Sequence, residues 1–273
     1  MTDRYAVVGN PVLHSKSPAI HTAFAKATGE DIYYGMIEAP VDGFRAAADA
    51  FRESGGRGLN VTTPFKLDAF AMATHPSERA QLAGAVNAMK FDGDRMLAEN
   101  FDGIGLVNDI EINLGYPLRG KRILLMGAGG AARGALLPFL ERQPAMLHIV
   151  NRTPEKAASL AREYSGRGCI SGDGYEALHG ERFDIIVNAT SASQRGETPD
   201  LPKSVFGDGS LAYELVYGKG LTPFLRCASE AGVARVADGA GMLVEQAAEA
   251  FLWWRGVRPD TRALIEQLTV PLV

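Results

Sequence analysis

Along its N-terminal part the chain alternates short apolar runs with amphipathic stretches, a rhythm that predicts βα units around a largely parallel sheet. Ala6-Val7-Val8 reads as the first strand. Ser17 followed by Pro18 supplies an N-cap and a proline at the first helical position, for a helix to about Thr28. Ile32-Tyr33-Tyr34 opens the second strand, Gly43 to Ser54 a helix, Gly58-Leu59-Asn60-Val61 the third strand, and Pro64 starts another helix. Phe91-Asp92-Gly93-Asp94-Arg95 predicts the turn of a hairpin that ends near Glu99. A helix from Asp102 to Leu114 is expected to carry the chain from one domain into the next.

The rhythm then restarts. Ile123-Leu124-Leu125-Met126 is a strand that runs into Gly127-Ala128-Gly129-Gly130-Ala131-Ala132, followed by a helix to about Gln143. Met146-Leu147-His148-Ile149-Val150 is the next strand, Thr153-Pro154 a helix start, and Phe183-Asp184-Ile185-Ile186-Val187 and Leu211-Ala212-Tyr213-Glu214-Leu215 are further strands. Met242 to Trp254 and Thr261 to Leu268 are expected to be helical, with Phe251, Trp253 and Trp254 read as packing. A strand, a glycine turn and an Ala-rich helix start are what a diphosphate needs: Gly127 for the tight turn, Gly129 for close backbone approach, and free N–H groups at the helix N-terminus. Ala132 in the third glycine slot is a permitted variant. The next strand ends at Asn151-Arg152-Thr153, with no acidic residue to bind the ribose hydroxyls of NAD and an arginine suited to the 2′-phosphate of NADP. NADP is the expected cofactor; the alternative is a Rossmann-like unit that binds another nucleotide or none.

Bulk properties set limits. At 273 residues the chain is long enough for two domains. Hydrophobic content of 46%, charged content of 22% and 31 glycines describe an ordinary globular protein, without the run of ~20 apolar residues that spans a membrane. A net charge of -4 with no basic run argues against nucleic acid as a partner. Cys169 and Cys227 lack metal spacing and are read as buried small hydrophobes rather than a disulfide, which fits a reducing cytoplasm. The N-terminal residues lead straight into a strand with no apolar signal segment, so no export is expected.

A nicotinamide enzyme also needs a site for the group it oxidises or reduces, and a means of moving a proton. Asn60-Val61-Thr62-Thr63-Pro64-Phe65-Lys66 puts polar groups at the C-terminal end of a parallel strand, where open α/β sheets bind ligands. Lys66 falls in the first turn of a helix, where a cation opposes the dipole unless it has work or a partner. The plain alternative is a solvated surface lysine.

Gly9-Asn10-Pro11-Val12-Leu13-His14-Ser15-Lys16-Ser17-Pro18, together with Asn60 to Lys66, resembles the shikimate dehydrogenase family. Further matches follow in order: Ala83-Gly84-Ala85-Val86-Asn87, Asn100-Phe101-Asp102-Gly103, Gly127 to Ala131 with Asn151-Arg152-Thr153, and Gly239 to Ala247, so the resemblance spans nearly the whole chain. It implies NADPH-dependent, reversible reduction of 3-dehydroshikimate to shikimate within aromatic amino-acid biosynthesis. The implied fold is an α/β substrate domain with a mainly parallel sheet at 1–101, a Rossmann-type NADP domain at 102–238, and C-terminal helices at 239–273 that return to complete the first. It also implies that Ser15 and Ser17 hold the substrate carboxylate; residue type alone makes Ser17 an N-cap and Ser15 a loop hydroxyl. Asn60, Thr62, Asn87, Asp102, Tyr217 and Gln246 become substrate residues and Lys66 with Asp102 the catalytic pair, Lys66 acting as proton donor or as electrostatic clamp. Gly127, Ala128, Gly129, Gly130, Ala131, Asn151, Arg152, Thr153, Asn188, Ala189, Thr190, Ser191, Gly239 and Met242 become the cofactor set. Shikimate or 3-dehydroshikimate is the expected small-molecule partner, no metal is expected, and a homodimer is left open as the assembly.

Three positions depart from the family pattern. Phe101 and Ala88 stand where Thr is common, each removing a hydroxyl, which points to altered substrate tuning; Glu214 stands where many members have Asp. Two rival readings remain: a quinate/shikimate dehydrogenase of broader substrate use, often with NAD, and a nonenzymatic NADP-binding sensor on the same fold.

Overall fold

The structure is a computed structural model and describes residues 2–197 and 200–272. The chain divides into two compact units, 1–105 with 244–264 and 106–243 with 265–273. The tail from 265 therefore groups with the second unit and not, as expected, with the first: Leu272 packs on the apolar cluster around Phe224 and Leu225. No helix is long and apolar enough to cross a membrane among the described residues.

The first unit holds a six-stranded sheet ordered β2-β1-β3-β5-β6-β4. Its elements are β1 (Asp3–Gly9), α1 (Ser17–Thr28), β2 (Ile32–Glu38), α2 (Phe44–Glu53), β3 (Gly56–Val61), α3 (Lys66–Met72), β4 (His75–Pro76), α4 (Glu78–Ala83), β5 (Ala88–Asp92) and β6 (Arg95–Glu99). β2, β1 and β3 run parallel, whereas β5 is antiparallel to both β3 and β6. Both faces are covered. Ala6, Val8, Leu59 and Val61 pack with Phe44, Phe51 and Phe65, while Tyr5 and Val7, one residue out of phase, pack with Ala250 and Trp254. Trp254 stacks on Tyr5 at 4.6 Å, and its indole N–H donates to the Met89 carbonyl at 3.0 Å.

Two helix starts differ from expectation. Lys16, not Ser17, is the N-cap of α1; Ser17 lies inside the first turn, and its N–H donates to the Ser15 hydroxyl at 3.2 Å. Proline is tolerated throughout a first turn that has no N–H partners, so Pro18 alone could not fix the boundary. Likewise Pro64 belongs to the turn before α3, which begins at Lys66.

The two threonine-favoring positions belong to the core. Phe101 and Ala88 share one buried apolar cluster, and the Phe101 ring meets Trp253 edge-on at 5.7 Å. Their side chains thus serve packing. A large residue beside a small one keeps the core filled.

The second unit begins inside a helix that starts in the first: α5 (Asp102–Asn108) passes into a π-helical turn at Asp109–Asn113. There follow β7 (Arg122–Met126), α6 (Gly130–Glu141), β8 (Met146–Val150), α7 (Pro154–Glu163), β9 (Ile170–Asp173), β10 (Phe183–Asn188), β11 (Phe206–Glu214), α8 (Pro223–Glu230) and β12 (Arg235–Asp238); α9 (Ala240–Arg255) then passes into the first unit at Val244, and α10 (Arg262–Leu268) leaves it at Ile265. The sheet order is β12-β11-β10-β7-β8-β9, and every pairing is parallel. After β9 the chain crosses to the other side of β7, which creates the switch point where such sheets bind nucleotides. The cysteines form no disulfide, and Cys169 is exposed rather than buried, because it lies just before β9 at the edge of this sheet.

Candidate active site

In the first unit, topology gathers the polar candidates. The loop after β1 carries Ser15 and Ser17, and the turn after β3 carries Thr62 and Lys66. Because β5 is antiparallel to β3, Asn87 at its start lies on that same edge, and the reversal at β6 returns the chain there at Asp102. The ammonium of Lys66 donates to Asp102 Oδ2 at 2.5 Å, with the two side chains 32% and 20% exposed. This is the partner that the unfavourable place of Lys66 on α3 required.

Asn87 braces the pair. Its Nδ2 donates to Asp102 Oδ1 at 2.8 Å and to Gln246 Oε1 at 3.2 Å, while its Oδ1 accepts from the Phe101 N–H at 2.8 Å. Each atom of the amide is thereby assigned, and Asp102 keeps Oδ2 for Lys66. Asn60, 5% exposed, donates through Nδ2 to the Asn87 carbonyl at 3.2 Å and accepts from the Tyr34 hydroxyl at 2.6 Å. Thr62 lies against Gly9, where a β-carbon would come within 2.5 Å of its methyl, so only glycine lets the β1 and β3 turns approach.

Two residues in this network carry no motif signal. Tyr34 reads as a strand core position, yet it orients Asn60; burial pushes its phenol far above the usual range, with the Ser17 hydroxyl opposing. His21, one helical turn after Ser17, is fully buried and stacks on Tyr34 at 4.2 Å; burial pushes it down to about 3, so the ring is neutral. Asn100 accepts the Asp102 N–H on its Oδ1 at 3.1 Å and donates to the Ala85 carbonyl at 3.0 Å, which fixes where α5 starts. Its signal was available: asparagine two residues before a helix start is a local backbone acceptor.

In the second unit the cofactor candidates sit at the C-terminal ends of parallel strands. Gly127 follows β7 at φ +105°, and a β-carbon there would meet the Ala189 carbonyl at 3.2 Å. At Gly129 and Gly130 the space is open, with no atom within 4 Å of a β-carbon. α6 starts at Gly130 with neither a capping side chain nor an acidic residue in its first turn, so its N–H groups are left to an anion. An open glycine backbone ahead of an uncapped helix fits the diphosphate of a dinucleotide, and Ala128 and Ala131 complete the turn with small side chains.

Past β8, Asn151 Nδ2 donates to the Thr153 carbonyl at 3.0 Å, and Arg152 is exposed. Arg133 is engaged with Glu163, and Arg195 with Glu197 and Ser191. At the end of β10, Asn188 is buried and accepts from both the N–H and the hydroxyl of Thr190. Gly239 follows β12 with a β-carbon position only 2.2 Å from the Leu215 carbonyl, and the Met242 N–H donates to the Tyr213 hydroxyl at 3.3 Å. Tyr217, after β11, is 41% exposed; the N–H of its neighbour Gly218 donates to Asp238 at 3.0 Å. Glu214 is wholly buried; burial pushes its carboxyl up, opposed by donors from Ser193, Asn188, Val216 and Thr222.

Known proteins match along the whole chain. Residues 7–89 match the family described as the shikimate dehydrogenase substrate binding domain, 111–197 that of shikimate/quinate 5-dehydrogenase, and 239–269 that of the shikimate 5′-dehydrogenase C-terminal domain. The shikimate dehydrogenase (NADP(+)) of Nitrosospira multiformis is 55% identical over 268 residues, 98% of each chain. The crystal structure of an Ael1 enzyme from Pseudomonas putida is 61% identical, covers 100% of both chains and superposes with a TM-score of 0.96. Shikimate 5-dehydrogenase from Thermus thermophilus, solved with NADP(H) and shikimate, is 32% identical over 97% of this chain and 98% of that one, with a TM-score of 0.84.

Proposed function

The chain belongs to the shikimate dehydrogenase family, and on that premise we propose that Lys66 and Asp102 handle the proton in its NADPH-dependent, reversible reduction of 3-dehydroshikimate to shikimate. The observation that carries this reading is the 2.5 Å contact between the Lys66 ammonium and Asp102, braced by Asn87. When bound, reduced NADP supplies a hydride to the carbonyl carbon. Negative charge then develops on the carbonyl oxygen, where the Lys66 ammonium stabilises it and delivers a proton to complete the hydroxyl. Asp102 orients that ammonium and accepts a hydrogen bond from the same hydroxyl. A partly exposed Lys66 recovers its proton from water.

The hydroxyls of Ser15 and Ser17 donate to the substrate carboxylate without adding a charge that would need desolvation. Asn60, Thr62 and Gln246 meet the ring hydroxyls with mixed donors and acceptors, because an unmatched buried polar group is costly. In the second unit, the Gly127–Ala131 turn holds the diphosphate, Asn151, Arg152 and Thr153 the 2′-phosphate, and Asn188 to Ser191, Gly239 and Met242 line the rest of the dinucleotide. We take the cytoplasm as the compartment of this biosynthetic step.

Absorbance at 340 nm during incubation with shikimate and NADP+ tests the reading. NADPH is expected to accumulate with shikimate, and more slowly with quinate or NAD+. Cofactor binding without turnover of shikimate would favour the sensor instead, and equal rates with quinate and NAD+ the broader dehydrogenase.

A further inference from the structure

Glu214 draws together three segments of the second unit that the chain keeps apart in sequence. Its Oε2 accepts from Asn188 Nδ2 at 3.0 Å, from the Thr222 hydroxyl at 3.2 Å and from the Ser193 hydroxyl, and its Oε1 accepts from the Val216 N–H at 3.4 Å. These donors lie at the end of β10 and in the loop after it, at the exit of β11, and at the N-cap of α8, where Thr222 also accepts from the Leu225 N–H.

From Glu214 the constraint passes along the β10 loop. Asn188, held through Nδ2, uses its Oδ1 to accept from the Thr190 N–H at 3.0 Å and hydroxyl at 2.7 Å, and that hydroxyl accepts from the Ala192 N–H at 3.3 Å. Between them, Ala189 donates its N–H to the Met126 carbonyl at 2.9 Å, at the end of β7. The Ala189 carbonyl and the Thr190 methyl are the atoms that a β-carbon at Gly127 would meet at 3.2 and 3.3 Å, closer than a side chain at 127 would allow. The glycine turn and the loop beside it are therefore in van der Waals register, and the buried carboxylate fixes one side of that register.

We propose that Glu214 is a positioning residue for the cofactor: it holds residues 188–193 at the distance from Gly127 that keeps the dinucleotide cradle in its binding shape. The inference rests on the reading that Gly127–Ala131 and Asn188–Ser191 hold NADP. An aspartate there is shorter by one methylene, about 1.5 Å of reach, and cannot serve Asn188, Ser193 and Thr222 together with Val216. A glutamine keeps the length; with its carbonyl toward the three side-chain donors, its NH2 faces the Val216 N–H, donor against donor.

The test is calorimetric titration of NADP+ into wild type, Glu214→Asp and Glu214→Gln without shikimate, alongside thermal melts and the KM for shikimate at saturating NADP+. Glu214→Asp is expected to weaken NADP+ binding by about tenfold and Glu214→Gln by less, because fewer of the donors keep their acceptor, while KM for shikimate stays within about twofold. Should the aspartate variant fail to fold, the isosteric glutamine variant carries the comparison. Folded variants with unchanged NADP+ affinity, or with NADP+ and shikimate weakened alike, would overturn the assignment. A wild-type protein that binds no NADP+ would overturn the cofactor reading itself, and this inference with it.

Discussion

Lys66→Ala is expected to lower kcat for shikimate oxidation by about 100- to 10,000-fold, the usual contribution of a positioned general acid or base, with a much smaller change in KM. The reason is the difference between ground and transition states. Substrate is gripped through its carboxylate and ring hydroxyls by groups the substitution leaves in place, whereas the charge on the reacting oxygen exists only along the reaction path. Because Lys66 is already paired with Asp102 at 2.5 Å, its removal also frees Asp102 Oδ2, and an unpaired carboxylate beside a developing alkoxide repels it. Steady-state kinetics in both directions measure the effect. Near-normal turnover would return Lys66 to the role of a surface lysine.

The second large effect lies in the other unit. Arg152→Ala is expected to weaken NADP+ by about 10- to 100-fold, the range for a lost hydrogen bond to a charged group, and to leave NAD+ nearly unchanged. Arg152 stands just past β8, where an acidic residue would have selected the unphosphorylated ribose, and it is exposed. Arg133 and Arg195 are held by carboxylates and are poorly placed to substitute for it. Affinities for both dinucleotides, measured on the same protein, decide the matter; equal losses would mean that Arg152 contacts no 2′-phosphate.

Much of this was legible in the sequence because the signals are local and periodic. The glycine turn at Gly127, the Thr153-Pro154 helix start and the Asp92-Gly93 hairpin each need particular residues at fixed offsets, and each lies where the pattern put it. Helix entry was legible only to within two residues, since both Pro18 and Pro64 satisfy more than one position in or before a first turn. The short elements β4, β9 and β12 and helix α4 escaped because two to six residues carry too little periodicity to stand out. The helix α8 did have a signal, Thr222-Pro223, of the same kind as Thr153-Pro154.

For the candidate site, the glycine turn, Arg152 and the Asn60–Lys66 strand end could be named from position and spacing, whereas Ser15, Ser17, Asn87, Asp102 and Gln246 were named through the family resemblance. What spacing cannot give is the layer behind them. Tyr34 holding Asn60, Asn87 holding Asp102, and Glu214 holding Asn188 are separated by 26, 15 and 26 residues, and only the sheet registers bring them together. Phe101 and Ala88 teach the same lesson in reverse. Read by residue type they looked like lost substrate hydroxyls, but both side chains sit in the apolar cluster with Trp254.

The central claim is that Lys66 and Asp102 act as one unit on the reacting oxygen, and a double-mutant cycle on kcat tests it most directly. Lys66→Ala, Asp102→Ala and the double variant are each assayed with shikimate and NADP+ after a folding check. If the pair works as a unit, the double variant is hardly slower than the worse single variant, because either loss already disables the contact. If the two losses instead multiply, the residues act independently and the shared proton-handling role is contradicted.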